Sequence, residues 1–246
     1  MRLHRFRLPL RRSPAHTPVL GRVVVVVLGL GVLAAALFGA AGPYQQTRQF
    51  RAAVACERGT DDCFDSEAAT IVGRHTYTTT STSTYTDANG HTHTSTTRTT
   101  HYEVTWRRAD GSHQTRDVSS AFYSEAEEGQ PATLRLWQGE VVGVEVAGGA
   151  EWFLPESGGR LMAWSYLAFL GLGILLWGLF GWWDGFFMLC FRAFAWMFMG
   201  LLPVVMAVDA LAYGMPTGAE LVAKVLVTVL FSGISGAMLV GSLDDW

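Results

Sequence analysis

Lysine is almost missing from this chain: of its 18 basic residues, all but Lys224 are arginine. No Asp or Glu precedes Glu57, so the first stretch carries charge of one sign only. Cysteine is scarce at three, which excludes a cysteine-dense scaffold and leaves no second pair to complete a structural zinc site. Proline is absent between Pro43 and Pro131. There is no Gly-x-Ser-x-Gly elbow, Ser-x-x-Lys, His-Glu-x-x-His or glycine-rich phosphate loop. With a net charge of −3 and no basic stripe beyond Arg22, nucleic acid is not an expected partner. The preference for arginine over lysine is what GC-rich bacterial coding gives.

What is present is apolar sequence in long runs. Val23 to Gly42 is bracketed by Arg22 and Pro43 and holds no charge. At about 1.5 Å per residue, its roughly 20 residues match the hydrocarbon thickness of a bilayer. Arg2, Arg5, Arg7, Arg11, Arg12 and Arg22 precede it, and the positive-inside rule keeps that tail (1–22) in the cytoplasm. Gly39-Ala40-Ala41 would suit a signal-peptide cleavage, but the apolar run is longer than such peptides carry, so a retained anchor is expected. Gly31, Ala35 and Gly39 fall on one face, where a second helix could approach. Further spans are expected at 161–183, 194–211 (with Pro203) and 219–241, leaving 242–246 in the cytoplasm. Gly185 to Arg192 reads as a short inner turn, and whether 185–211 crosses once or folds back stays open.

Between the first and second spans lies a polar segment, 43–160. Tyr44 to Ala55 suits a helix continuing the anchor. Cys56 and Cys63 follow, a spacing that favours a disulfide in an exported domain, whereas Cys190 reads as a buried thiol. From His75 to His101 nearly every residue is Thr, Ser, Tyr or His. Thr and Tyr favour extended chain, and Asp87-Ala88-Asn89-Gly90 is a turn signal. A two-residue turn at Asn89-Gly90 pairs Thr86 with His93, Thr80 with Thr99 and Tyr77 with Tyr102. Both faces of this hairpin are polar, so its tip should project into solvent while its base joins a sheet. A mucin-like disordered tract is the rival reading, opposed by the missing proline. Alternation at Tyr102, Val104 and Trp106 marks a half-buried strand, with others at Ala69 to Val72, His113 to Val118, Ala132 to Trp137 and Val141 to Val146. Ser120 to Glu128 reads as a short helix with Ser120 as its cap, and Gly148-Gly149 leads on through Trp152 and Phe153 to the next span. The expectation is an α+β membrane protein: four transmembrane helices and a small extracytoplasmic antiparallel β-barrel or sandwich between the first two.

Tyr102-Glu-Val-Thr-Trp106, Ala109-Asp110-Gly111, Glu128-Gly129 and Thr133-Leu-Arg-Leu-Trp-Gln-Gly139 together resemble a bacterial family of unknown function, over about residues 100–147. Its members tether a small β-domain between transmembrane helices. The resemblance implies a membrane location and a β-domain, and it supplies no activity.

Two sets of residues invite a chemical role. His91 and His93 lie two apart, and His101 could share their face; imidazoles so spaced can hold zinc or copper, with His75 and His113 nearby in sequence. Glu220 stands four residues before Lys224, the favourable order for a helical ion pair or a step in an ion pathway. Glu125, Glu127 and Glu128 read as a solvated face. The expected function is non-enzymatic, with no cofactor: a multi-pass protein of the bacterial plasma membrane whose β-domain binds or scaffolds an extracytoplasmic protein partner. The alternatives are a small transporter or channel accessory using the helices, and a metal-dependent surface enzyme using the histidines.

Overall fold

A computed structural model describes residues 19–60, 63–86, 90–180 and 186–244. In order they form α1 (Val19–Thr60), β1 (Asp65–Thr86), β2 (Thr92–Arg107), β3 (His113–Asp117), α2 (Ser120–Glu125), β4 (Pro131–Trp137), β5 (Glu140–Val146), β6 (Gly149–Trp152), α3 (Glu156–Phe180), α4 (Phe186–Tyr213) and α5 (Ala219–Asp244). The chain divides into a helical unit, Met1–Arg51 with Glu156–Trp246, and a sheet unit, Ala52–Pro155.

In the helical unit, four helices are long and apolar enough to cross a membrane. Their large side chains face outward: Phe38 is 84% exposed, Phe187 91% and Val229 64%. Exposed apolar surface on this scale is what hydrocarbon covers, not water. α1 continues unbroken through Pro43, where the Thr47 hydroxyl donates to the Pro43 carbonyl at 2.8 Å. α4 begins at Phe186 and is one helix through Pro203 to Tyr213, so the expected inner turn over Gly185 to Arg192 is helical from Phe186 onward. No Gly or Pro interrupts that start, and nothing there ends a helix. Residues 181–185, where the expected second span ends and the expected inner turn begins, lie outside the described residues.

Glycines set the helix spacing. A Cβ at Gly29 would meet the Leu175 backbone, one at Gly171 would meet Leu33, and one at Gly39 would enter the Trp164 ring. The close face of α1 therefore runs through Gly29, buried Ala36 and Gly39. It does not include Gly31, where an added Cβ would meet nothing within 4 Å among the described residues, or exposed Ala35. Between α3 and α4, Phe169 lodges against Gly200 and Trp196 against Gly173. The two rings stack at 4.7 Å, and Trp196 Nε1 donates to the Phe169 carbonyl at 2.9 Å. Hydroxyls tie neighbouring helices: Tyr166 to the Leu201 carbonyl at 2.8 Å and Ser232 to the Met199 carbonyl at 3.0 Å. Cys190, expected to be buried, is exposed on α4.

The sheet unit is one open antiparallel sheet, ordered β3-β2-β1-β4-β5-β6, and neither a barrel nor a sandwich. Its ends cannot join because β3 and β6 are short strands on opposite margins; α2 covers one face instead of a second sheet. Ile71, Val104, Trp106, Leu134 and Val144 from four strands pack with Phe122 and Ala126. The strand β6 was not expected; Gly148, at φ 109°, reverses the chain so that Gly149 pairs with Val146 and Trp152 with Gly143. The cap of α2 is Ser119, whose hydroxyl accepts from the Phe122 N–H, one residue before the expected Ser120. Gln138 and Gly139 both take positive φ in the β4–β5 turn, the twist a two-residue hairpin needs. Cys56 and Cys63 form a disulfide, with Cα atoms 5.9 Å apart, and Arg135 on β4 reaches Glu57 at 3.4 Å beside it.

The packing of α3 on α4 yields a test. Gly200→Leu drives a side chain into the Phe169 ring, at a cost of about 1–3 kcal/mol as for overpacked cores. Gly233→Leu enters open space. Thermal unfolding of the full chain in detergent should drop for the first variant and stay unchanged for the second.

Candidate functional site: the projecting hairpin arm

β1 is paired with β4 only as far as Thr70 opposite Pro131, and β2 with β3 only from Glu103 onward. Beyond these limits, among the described residues, β1 and β2 pair with each other alone, from Thr76 opposite Tyr102 to Thr86 opposite Thr92. Residues 75–86 and 90–100 are all exposed. The expected projecting hairpin with polar faces is thus present, and β1 extends it down to Asp65 rather than Ala69.

Its register differs by one residue from the expected one. Thr86 pairs with Thr92, Thr80 with Arg98 and Tyr77 with His101. The turn residues 87–89, including Asn89, lie outside the described residues; Gly90 has φ 85°. A single-residue slip changes which side chains share a face. Here it places odd residues with odd ones. Tyr77 then stacks on His101 at 4.7 Å and 8°, and Tyr85 on His93 at 5.0 Å and 17°. The other face is nearly all threonine: Thr78, Thr80, Thr82, Thr84 and Thr86 opposite Thr100, Arg98, Thr96, Thr94 and Thr92. Across it, Thr84 and Thr94 hydroxyls lie 3.5 Å apart, as do those of Thr86 and Thr92. Sequence reasoning missed the Tyr–His stacks because they depend on register, which the turn signal fixed one residue wrong.

At the base of the arm, the register skips Val72 between Ile71 and Gly73, a bulge in β1, and Arg74 becomes an anchor. Its guanidinium lies 4.2 Å from the Tyr123 ring centre and donates to the Tyr123 carbonyl at 2.5 Å. Thr76 bonds the Tyr123 hydroxyl at 2.9 Å. Glu128, expected as plain solvated charge, accepts from the Arg74 backbone N–H at 3.3 Å. Partial desolvation by its surroundings raises the Tyr77 hydroxyl above its ordinary pKa, and Asp117 and Glu103 add to it. Below the arm, Glu67 clamps the β2–β3 turn. Arg108 Nη2 donates to its Oε2 at 2.6 Å and the Ala109 N–H to its Oε1 at 3.0 Å. These bonds from Arg108 and Ala109 hold the Glu67 carboxyl below the ordinary 4.5. Asp110 is lowered likewise by the hydroxyl and N–H of Ser112.

Of the histidines chosen from sequence, His93 and His101 share one face of β2 but not one place. His93 and His101 are roughly 27 Å apart along β2 at about 3.4 Å per residue. His91 lies just before the strand begins, His113 starts β3, and His75 stacks beside Tyr77 at 6.0 Å. Among the described residues no three His, Cys, Asp or Glu groups gather for a metal. Glu220 and Lys224 do meet, at 2.9 Å on the first turns of α5. Comparison with family models, curated proteins and solved structures found no match.

The Glu67 clamp predicts acid sensitivity. A depressed folded-state pKa adds stability that is full above the ordinary carboxylate value and is lost as pH falls through the lowered one. Glu67→Gln should remove about 1 kcal/mol, the scale of a partly buried charged hydrogen bond near the surface. Amide exchange at Ala109 in the full chain should quicken in the variant at pH 7. In the native chain it should show the same loss of protection only in acid.

Proposed function

We propose that this chain is a non-enzymatic, multi-pass protein of a bacterial plasma membrane, with its N-terminus in the cytoplasm. On this reading the sheet unit lies outside the membrane, and its arm binds a protein partner by strand addition. The reading is supported first by solvent: four helices suit hydrocarbon, and the arginine-rich start suits the cytoplasmic side. The Cys56–Cys63 disulfide suits an oxidising compartment.

The observation that carries the binding role is the state of the arm's edges. Exposed strands present a row of unpaired N–H and C=O groups, and proteins usually guard them with Lys, Pro or inward charge. From His75 to Thr86 the β1 edge has none of these guards. Strand addition uses such backbone groups for affinity and alternate side chains for selection. The Glu220–Lys224 pair favours no separate transport role, because a surface turn of helix holds such a pair for structure alone. Lys224→Leu should leave membrane-potential-linked fluxes unaltered.

The binding role is tested with a photoreactive amino acid at Ser83 in native membranes. It should capture protein, and capture should disappear with Thr80→Pro, which removes an edge N–H without touching the bonds to β2. Labelling of lipid alone, or capture indifferent to Thr80→Pro, sinks the reading. A reporter fused at Asn89 should be accessible only from outside the cell.

A further inference from the structure

Among the described residues, the edge of β1 is free over a defined length. The β1–β4 ladder ends at Thr70, the Gly129 N–H bonds to the Ile71 carbonyl, and Glu128 takes the Arg74 N–H. Free edge therefore begins at Thr76 and ends with the strand at Thr86. Because the Arg74 N–H points away from β2, every second residue after it does the same in a regular ladder. These are Thr76, Thr78, Thr80, Thr82, Thr84 and Thr86. On the far strand the same parity holds, since the Tyr102 carbonyl accepts from the Val118 N–H across β2.

The free stretch reads Thr76-Tyr-Thr-Thr-Thr-Ser81-Thr-Ser-Thr-Tyr-Thr86. It is the same in both directions except for Thr79 against Ser83, and its centre is Ser81. A two-fold interface needs self-complementarity, in which residue i meets j and j meets i. A foreign strand would need no such symmetry.

We infer that the outer edge of β1 pairs antiparallel with the same edge of a second copy of this chain, about a two-fold axis at Ser81. The inference rests on the strand-addition reading and names the occupant. In this register Thr76 faces Thr86 of the second copy, Thr78 faces Thr84 and Thr80 faces Thr82. These are the outward residues, so each pair exchanges two backbone bonds, about a dozen in all. The residues between them form the closer, non-hydrogen-bonded pairs: Tyr77 with Tyr85, Thr79 with Ser83, and Ser81 with itself.

Alternative registers do worse. A slip of one residue sets outward groups against inward ones. A slip of two shortens the ladder and moves each tyrosine opposite a residue outside the tyrosine pair. The tyrosines thus select the register that a run of Ser and Thr alone leaves weakly specified. Each tyrosine already stacks on a histidine of its own β2. Pairing the copies extends both stacks into ladders of His101, Tyr77, the second copy's Tyr85 and its His93. The β2 edge is the poorer choice, because Arg98 breaks its symmetry and places a charge near its centre. Confinement of both copies to one membrane raises their effective concentration, so modest backbone pairing suffices.

The test is cysteine crosslinking of the full chain in native membranes, in a Cys190→Ala background. Ser81→Cys sits on the two-fold axis and should give a covalent dimer under mild oxidation. Thr97→Cys is the control: it pairs with Ser81 within the arm, is equally exposed, and lies on the opposite edge. It should give little dimer. Adding Thr80→Lys with Thr82→Lys to Ser81→Cys sets new lysines opposite each other only in the dimer, and most of the product should vanish. Thr80→Lys with Thr82→Glu sets opposite charges together and should restore it. No dimer from Ser81→Cys, equal dimer from Thr97→Cys, or indifference to the charge pairs overturns the inference. If dimer is absent while the Ser83 probe still captures another protein in a manner sensitive to Thr80→Pro, strand addition stands and only self-pairing falls. If neither forms, both fall.

Discussion

The pairing of β1 with β2 is the constraint on which the sheet unit depends. Its lower half lies at the centre of the sheet and carries Ile71 opposite Trp106, the middle of the core. Its upper half leaves the sheet and becomes the arm. One ladder therefore fixes both the packing of the interior and the faces that the arm shows to solvent. The bulge at Val72 lies between the two halves and resets the alternation there. Below it Ile71 points into the core. Above it the even residues of both strands carry the threonine face, in line with buried Val104 and Trp106 at the base. Odd residues gather the Tyr–His stacks. Shifting this ladder by one residue would break the stacks and the core pair together.

Burial and exposure divide the protein by solvent rather than by chemistry. The sheet unit hides a compact set of Val, Leu, Ile, Phe and Trp side chains and holds its turns with charged hydrogen bonds, as at Glu67 and Arg108. The helical unit does the opposite, with Phe and Val outside and glycine at the contacts. In hydrocarbon an outward phenylalanine costs nothing, and helix association must come from close packing and a few directed hydrogen bonds. Gly173 with Trp196, Gly200 with Phe169 and Tyr166 with the Leu201 carbonyl supply these.

Much of this was legible in the sequence, for identifiable reasons. Apolar runs of bilayer length reported the four helices, because length and hydrophobicity suffice for that inference. Alternation reported the strands near Val104 and Leu134, where one face is buried, whereas Val141 to Val144 of β5 are buried in succession. Closure was not legible: whether six strands curl into a barrel or stay open depends on the margins, and β6 is only Gly149–Trp152, too short to show a period. The hairpin register was misread because both faces are polar, so no buried face penalised the error. The helix-contact stripe was shifted to Gly31 for a related reason. Small residues occur all around α1, and only the neighbour's shape, with Trp164 and Leu175, selects Gly29 and Gly39. His93 and His101 shared a face as parity required, but spacing in sequence could not tell a cluster from a row.

The rings seated against glycines in α3 and α4 limit how force can travel through the helices. Sliding α4 along α3 by one turn would lift Phe169 from its notch at Gly200 and Trp196 from its notch at Gly173, and would break the indole bond to the Phe169 carbonyl. A piston stroke between these two helices is thus blocked at two points. Relative sliding of α3 and α4 would therefore have to undo both ring contacts and the indole bond at once.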